Sequence, residues 1–372
     1  MTEKLKQLMH ERAESVDFAT PDLGAMTRSG DRTVRRRRGL ALVGGVAATT
    51  VLGVVAATQL GGGGTTTPVA VESPETAPLV WATGSTLHSA DGGATNLGHE
   101  VRSLVRTSSG YVFADRDGTV WSWTDGEATD VGRTDARHPE LVSDDEDGLA
   151  GWVDDSGDRP ALVVLDQATG SVQQYDQHTE PGQDTLADAP NPVIFFGIDD
   201  GMAYWRDNRG AVAVDLGDGE TRVIDGEMST GFGIGDAENG LIAFTNLEGA
   251  AATVVGTSRE AGVGLEEAWG TTGAFSPDGR WYSSEGDEQA VFDVTSGERV
   301  TLDLTQKFAT GYEWLDATTL AVLAADRPRM DATAQLLTCK VPAGTCEVVV
   351  ADLGTFEELE GDFALPVGEP TG

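Results

Sequence analysis

The sequence predicts an all-β domain of repeated hairpins, preceded by one transmembrane helix and a short helical cytoplasmic leader. Three observations support this: an uncharged stretch directly after four arginines, apolar runs that recur about every 40 residues, and Asp/Gly turns between those runs. Glycine is abundant, at 48 of 372 residues, and aromatic residues make up only 6%. That composition favours strands and turns over helices.

Residues 1–38 form the predicted leader. Leu5, Leu8 and Met9 begin an apolar series at helical spacing within residues 2–16, and charged residues mostly occupy the other side. A short amphipathic helix cannot bury its apolar face alone. We therefore expect the leader to fray, to lie on the membrane, or to dock on a cytoplasmic regulator, such as a sigma factor, through Leu5, Leu8 and Met9.

Residues 39–60 are the predicted transmembrane helix. They contain no charged side chain and would span roughly 33 Å at ~1.5 Å per residue, enough for a bilayer core of roughly 30 Å. The basic cluster that precedes this run consists of Arg35, Arg36, Arg37 and Arg38, and no basic residue follows it closely. The positive-inside rule then places the N-terminus in the cytoplasm and the remaining chain outside.

A cleaved export signal is the alternative to a retained anchor. Arg37, Arg38, Gly39 and Leu40 loosely resemble a twin-arginine motif. The long leader and long apolar run favour the anchor, because both exceed what a signal peptide usually has. Beyond the anchor we predict a flexible Gly/Thr/Pro linker at 61–78, a β domain at 79–365 and a disordered tail at 366–372.

The charge distribution excludes one class of partner. Residues 1–38 hold nine Lys/Arg and six Asp/Glu, so the remaining residues hold 16 basic and 55 acidic side chains, a balance of −39. So strong a negative field repels nucleic acid and anionic lipid headgroups. The acidity is interpreted as a solubility feature, with a dedicated cationic partner as the alternative.

The repeat in the β domain predicts a seven-bladed β-propeller with antiparallel blades. Equivalent residues follow one another at intervals of 32, 39, 53, 39, 38 and 39 residues; they are Trp81, Phe113, Trp152, Trp205, Phe244, Tyr282 and Ala321. A period near 40 that is made of hairpins is typical of propeller blades. The long third interval predicts an inserted loop at the polar stretch 173–191. A terminal strand near 348–353, or one at 361–366, is expected to pair with the first blade and close the ring.

One turn carries a resemblance to known proteins. Residues 275–281 read Phe-Ser-Pro-Asp-Gly-Arg-Trp, which resembles a structural turn of WD-repeat-like and TolB-like propellers. With its leader and span, the whole chain resembles single-pass, membrane-anchored propeller proteins of high-GC Gram-positive bacteria, mostly of unassigned function. The resemblance implies the fold and a ligand surface on one face of the disc, and it carries over no catalytic residue.

The two cysteines predict a disulfide. Cys339 and Cys346 flank a turn at 341–344 that contains Pro342 and Gly344, so they would face each other across a hairpin. Directly opposed residues lie within disulfide reach, and a bridge suits an extracytoplasmic domain. The alternatives are free thiols or half of a metal site, although no His lies nearby to complete such a site.

No linear motif for catalysis, a cofactor or a metal occurs. The five histidines are scattered; those outside the leader are expected in turns or loops. The acidic run 144–148 is interpreted as solvated, with Ca²⁺ binding as the alternative.

The sequence therefore predicts a non-enzymatic, membrane-anchored extracytoplasmic module that binds or senses a small molecule, glycan or protein. One alternative is a transmembrane signal transducer whose leader docks a regulator. Another is an extracytoplasmic hydrolase or lyase whose site is built from blade loops.

Overall fold

The computed structural model describes residues 76–370 except 145–147, 155, 157–159, 177–193, 208, 226–231, 247–252, 266–267, 269–272 and 285–288. Within these ranges no helix has the length and apolar character needed to cross a bilayer. The predicted leader, its docking residues, the arginine cluster and the transmembrane segment all lie outside the described residues.

The described chain forms seven four-stranded antiparallel sheets, which are the predicted seven blades. In chain order the strands are β1 Val80–Thr83, β2 Thr86–Ser89, β3 Ala94–Asn96, β4 Ser103–Thr107, β5 Gly110–Ala114, β6 Thr119–Thr124, β7 Glu127–Arg133, β8 Leu141–Asp144, β9 Leu149–Asp154, β10 Ala161–Asp166, β11 Ser171–Asp176, β12 Ile194–Asp199, β13 Met202–Asp207, β14 Gly210–Asp215, β15 Thr221–Asp225, β16 Phe232–Glu238, β17 Leu241–Asn246, β18 Thr253–Gly256, β19 Val263–Leu265, β20 Gly273–Phe275, β21 Trp281–Ser284, β22 Ala290–Asp293, β23 Arg299–Val300, β24 Phe308–Asp316, β25 Thr319–Ala325, β26 Gln335–Lys340, β27 Thr345–Val350 and β28 Phe363–Ala364. Within the described residues a short helix, α1, spans Phe356–Leu359.

Each blade runs outward from the axis of the ring. Strands β4, β8, β12, β16, β20 and β24 are the innermost strands of blades 2 to 7, and successive members of this series contact each other. All seven repeat positions predicted from the sequence lie on the second strand of their blades, β1, β5, β9, β13, β17, β21 and β25. The predicted blade number and period are therefore confirmed.

Blade 1 is completed by the C-terminus. The sheet order β28-β1-β2-β3 makes β28 its innermost strand, with Ala82 paired to Ala364 and Thr83 to Phe363. Of the two closing strands considered, the one at 361–366 is thus correct. The other candidate overlaps β27, which is the outer strand of blade 7. Pairing with β28 covers the edge of β1 that would otherwise lack a strand partner.

The core lies between adjacent blades, because each blade buries both of its faces. Side chains alternate along β6: Trp121 and Trp123 pack toward blade 1, whereas Val120 packs toward blade 3. Four large aromatic side chains fill these interfaces and are at most 3% exposed: Trp152, Trp205, Trp281 and Trp314. Burial on both faces explains why the second strands read as continuous apolar runs.

The Phe-Ser-Pro-Asp-Gly turn is held by its own side chains. Ser276 Oγ donates to Asp278 Oδ1 over 2.6 Å and accepts from the backbone N–H of Trp281 over 3.0 Å. Gly279 has φ +66°, a left-handed conformation that glycine adopts without strain. The role of this motif in the described structure is therefore that of a turn.

Two sequence predictions need correction. Residues 173–176 belong to β11 and pair with β10, so the predicted inserted loop does not begin at 173; the remainder, from 177, lies outside the described residues. The outer strand is exposed, and its polar composition made it read as a loop. The predicted disordered tail is also wrong at its start, because residues 366–369 are buried. The backbone N–H of Gly368 donates to Leu104 O over 2.7 Å, and Leu141 N–H donates to Gly368 O over 2.8 Å.

Candidate functional site at the closure of the ring

A buried ion pair joins two blades on either side of blade 1. Arg106 lies on β4, the inner strand of blade 2, and Glu313 lies on β24, the inner strand of blade 7. Arg106 Nη2 is 2.9 Å from Glu313 Oε1, and the two side chains are 5% and 0% exposed. The same Nη2 donates to the carbonyl of Pro78 over 2.6 Å. One guanidinium thus holds blade 2, blade 7 and the segment that leads into blade 1.

Burial sets the protonation behaviour of this pair. Desolvation raises the pKa of Glu313 to about 8, and the positive charge of Arg106 opposes that rise. The adjacent Tyr312 is fully buried; desolvation and then the carboxylate of Glu313 raise its pKa well above 10. A buried charge is costly even when it is paired, so the carboxyl group of Glu313 can change protonation near pH 8.

The residues that precede β1 are fixed to blade 7. Ala77 N–H donates to Leu315 O over 2.8 Å, and Thr76 Oγ1 donates to Asp316 Oδ2 over 2.9 Å. Burial alone would raise the pKa of Asp316, but hydrogen bonds from Thr319, Thr318 and Thr76 lower it overall. The sequence predicts that the membrane linker ends at residue 78, so its last three residues are bonded to the ring.

A row of side chains extends outward from this ion pair along one face of blade 2. The strand register pairs Arg106 with Tyr111, and Tyr111 with Trp123. Directly paired residues project from the same face of an antiparallel sheet. The rings of Tyr111 and Trp123 are 6.1 Å apart at an angle of 48°, and both are half-buried against blade 1. The row therefore connects the buried closure with the surface.

The tryptophans of blades 1 and 2 are less buried than those in the rest of the described domain. Trp152, Trp205, Trp281 and Trp314 are fully buried. The three half-buried tryptophans of the described chain, Trp81, Trp121 and Trp123, all lie in blades 1 and 2. The outer strand of blade 1, β3, consists of the small residues Ala94, Thr95 and Asn96 and is exposed throughout. It leaves the aromatic face of blade 2 incompletely covered.

Two of these tryptophans stack on histidines, of which His99 lies in a loop as expected and His88 does not. His99 stacks on Trp121 with ring centroids 3.6 Å apart, and Trp121 Nε1 donates to Asp115 Oδ2 over 2.8 Å. His88 lies on β2 rather than in a turn or loop and stacks on Trp81 at 5.4 Å. Both rings are thereby held in fixed orientations.

The hairpin that carries Trp121 and Trp123 is acidic. Residues 117–133 contain Asp117, Asp125, Glu127 and Asp130 and one basic residue, Arg133, which pairs with Asp130. Asp125 lies in the β6–β7 turn and is exposed, and Glu127 pairs with Thr124, whose hydroxyl accepts from Gln167 of blade 3. Because paired residues share a face of the sheet, Glu127 lies on the face opposite Trp123.

The predicted disulfide is confirmed. Cys339 and Cys346 are directly paired in the β26–β27 hairpin and bonded, with their Cα atoms 4.1 Å apart. The bridge lies at the outer edge of blade 7. No group of three or more His, Cys, Asp or Glu side chains within the described ranges is placed to hold a metal ion. Residues 145–147 of the acidic run lie outside those ranges.

Sequence reasoning missed the closure site. Arg106 and Glu313 each interrupt an otherwise uncharged run of an inner strand, Ser-Leu-Val-Arg-Thr and Gly-Tyr-Glu-Trp-Leu. A charged residue inside a strand that is buried on both faces needs a partner of opposite charge. That signal was present in the sequence, although the identity of the partner depends on the ring closing.

No protein-family model matches the sequence, and no curated protein matches it. Solved structures align over much of the domain at low identity. TolB from Acinetobacter baumannii aligns with 74% of this chain and 64% of its own length at 10% identity and a TM-score of 0.40. A puromycin hydrolase aligns with 74% of this chain and 51% of its own at 16% identity and a TM-score of 0.48. An oligogalacturonate lyase in complex with manganese aligns with 68% and 81% at 10% identity and a TM-score of 0.43. This chain thus spans about two thirds of TolB and half of the hydrolase, and the similarity concerns the fold.

Proposed function

We propose that this protein is a membrane-anchored binding or sensing module whose propeller lies outside the cytoplasm and takes its ligand at the seam between blades 1 and 2. The observation that carries the binding role is that Tyr111, Trp121 and Trp123 are half-buried at that seam, whereas Trp152, Trp205, Trp281 and Trp314 are buried. Aromatic residues that keep an accessible face are enriched at recognition surfaces, because they supply contact area with few rotatable bonds.

Two features support the extracytoplasmic location. Residues 39–60 are long and apolar enough to cross a bilayer and follow four arginines. The Cys339–Cys346 bridge is of a kind that persists in oxidising compartments and is rare in the cytosol.

Labelling of intact cells tests the location. Met330 is 52% exposed in the propeller, and Thr2 lies in the leader. We expect a membrane-impermeant maleimide to label a Met330→Cys variant in intact cells and a Thr2→Cys variant only after lysis. The unsubstituted protein is the control for reaction at Cys339 and Cys346. Labelling of Thr2→Cys but not Met330→Cys in intact cells would contradict the proposed orientation. A mature N-terminus beyond residue 60 would establish a cleaved export signal instead of an anchor.

A second candidate function, transmembrane signalling, is favoured by the fixed linker end. Arg106 bonds to Pro78 and Glu313 at once, and Ala77 and Thr76 bond to blade 7. A ligand that shifts Tyr111 and Trp123 would act on Arg106 through the strand register and so on the linker. The leader would pass the signal to a cytoplasmic regulator through Leu5, Leu8 and Met9. Co-purification of one cytoplasmic protein by the intact chain but not by a Leu5→Asp/Leu8→Asp variant supports this role. Equal recovery with both chains argues against it.

A further inference from the structure

We infer that residues 65–69, which precede the described domain, dock on the outer edge of blade 7 as a fifth strand beside β27. This inference goes beyond the proposed binding or sensing function, because it concerns how the chain between the predicted anchor and the propeller is held. Three observations carry it: the apolar outer edge of β27, the point at which the chain enters the domain, and the composition of residues 65–69.

The outer edge of β27 exposes more large apolar side chains than any other outer strand of the described blades. Val348 and Val349 are 42% and 39% exposed, whereas the other described outer strands expose at most one such side chain each. Within the described ranges no strand pairs with this edge, and an isolated bridge from Asp303 covers only its first residue, Thr345. Such an edge presents backbone N–H and C=O groups to a further strand.

Two features of β27 restrict what can pair with it. The register passes from Leu337↔Val348 to Leu336↔Val350, so Val349 is the extra residue of a β-bulge, which discourages long edge-to-edge pairing. Glu347 is the one charged residue of the strand. A short, uncharged segment fits this edge, whereas a second copy of so negative a domain would be repelled.

The chain enters the domain at the end of blade 7 where β27 begins. Thr76 Oγ1 and Thr319 Oγ1 both donate to Asp316 Oδ2, over 2.9 and 2.7 Å. The register pairs Thr319 with Lys340, and Lys340 with Thr345 at the start of β27. A segment that runs toward Thr76 beside β27 is therefore antiparallel to β27, as neighbouring strands within blade 7 are to each other.

The intervening residues are long enough to reach this edge. Three strand spacings separate β24 from β27, and a strand beyond β27 would lie a fourth spacing away, roughly 19 Å in total. The seven residue steps from position 69 to position 76 (76 − 69) extend up to roughly 23 Å. The outer strands that expose Val172 and Val223 belong to blades 3 and 4, three blades away around the ring.

Residues 65–69 have the composition of an edge strand. They read Thr-Thr-Thr-Pro-Val, and four of the five are β-branched, which favours a strand. Pro68 has no N–H to donate and is therefore tolerated on an outer edge. No charged residue lies between positions 39 and 71, so the negative field of the domain does not repel this segment. Docking would shorten the free chain between the predicted anchor and the first docked residue to residues 61–64.

Spin labelling of the full-length protein tests the inference. A nitroxide on a Thr66→Cys variant should give the broad spectrum of an immobilised side chain; the unsubstituted protein, whose Cys339 and Cys346 are bonded to each other, is the labelling control. Val348→Glu/Val349→Glu should sharpen the spectrum, because charges on the edge oppose strand pairing. A sharp spectrum before this change, or a broad one that the change leaves unaltered, would overturn the inference.

A matched pair of variants separates the edge of β27 from the general charge. Val172→Glu/Val223→Glu adds the same two charges at exposed positions of β11 and β15 and should leave the spectrum broad. Equal sharpening by both pairs would mean that added charge releases the segment wherever it lies on the domain, and it would sink the assignment to β27.

Hydrogen exchange distinguishes residues 65–69 from other occupants of the edge. Replacement of these residues by Gly-Ser-Gly-Ser-Gly should speed amide exchange in β27 at least about tenfold and leave β15 unchanged. Protection that survives the replacement and rises with protein concentration would assign the edge to a second copy and contradict the inference. Exchange in β27 that the replacement leaves unchanged at every concentration would contradict it as well. The maleimide test of location does not depend on either outcome.

Discussion

Arg106 and Glu313 form a buried ion pair across the closure of the ring, between two blades that are not neighbours. Four segments of the chain meet at this point: residues 76–79, the inner strands β4 and β24, and the C-terminal segment after β28. The single Nη2 of Arg106 that contacts Glu313 also bonds Pro78. The guanidinium of Arg106 therefore contacts the end of the predicted membrane linker, and the same residue begins the half-buried aromatic row at the seam.

The first prediction concerns pH. The folded-state pKa of Glu313 is about 8, above its ordinary value of 4.5, so the folded protein holds this proton over a range in which the unfolded chain has released it. The stability that Glu313 contributes is complete below about pH 4.5 and is lost as the pH rises through 8. The free energy of unfolding of the wild-type protein should fall by on the order of a few kcal/mol between pH 5 and pH 8. We expect Glu313→Gln to abolish that fall. Denaturant unfolding at both pH values measures it.

Glu358→Gln is the control for that experiment. The backbone N–H and the hydroxyl of Thr355 lower the pKa of this exposed capping carboxylate. The stability that it contributes is therefore lost only when the pH falls through acidic values. The variant should keep the wild-type difference between pH 5 and pH 8. If Glu313→Gln keeps that difference too, Glu313 does not titrate in the folded state as described.

The C-terminal segment should be intolerant of a side chain at Gly368. A Cβ there would lie 1.9 Å from Leu141 O, in a backbone with φ +80°. Gly126 has φ +89° and no atom within 4 Å of the position of a Cβ. Gly126→Ala should cost only the left-handed backbone penalty, about 1–2 kcal/mol, whereas Gly368→Ala should lower the thermal midpoint much further. Equal losses in the two variants would show that the tail does not insert between blades 2 and 3.

The disulfide should stabilise the domain without defining its fold. Cys339→Ala/Cys346→Ala opens a loop closed over a sequence separation of 7, which costs roughly 2–3 kcal/mol on the chain-entropy account. Blade 7 should remain folded, because β24, β25 and β26 stay paired and buried. Calorimetry gives the loss, and unchanged far-ultraviolet circular dichroism checks the fold. Loss of the β signal at room temperature would refute this division of roles.

Local patterns predicted much of the fold, since a blade is a local unit. The period of the second strands placed every blade correctly, and the spacing around Pro342 and Gly344 predicted the Cys339–Cys346 bridge. Both depend on residues that are close in sequence. The polar composition of β11 predicted a loop, because an exposed outer strand and a loop share that composition.

The closure site was not predictable in the same way. Arg106 and Glu313 are 207 positions apart in sequence (313 − 106), and they meet only because the ring closes. The burial of residues 366–369 has the same origin, since a short segment rich in Pro and Gly reads as a tail until inner strands surround it. The aromatic row was visible as individual residues, but its exposure depends on the small side chains of β3 in another blade.

The measurement that tests the closure most directly is a double-mutant cycle between Arg106 and Glu313, read as the free energy of unfolding in denaturant. Glu313→Leu leaves a buried guanidinium that has no partner and cannot lose its proton, whereas Arg106→Leu leaves a carboxyl group that stays protonated. We expect Glu313→Leu to lose about 3–5 kcal/mol, Arg106→Leu to lose less, and the double variant to lose less than the sum by at least about 2 kcal/mol. Losses that add to within about 0.5 kcal/mol would contradict the account, because they would mean that the two side chains do not interact across the closure of the ring.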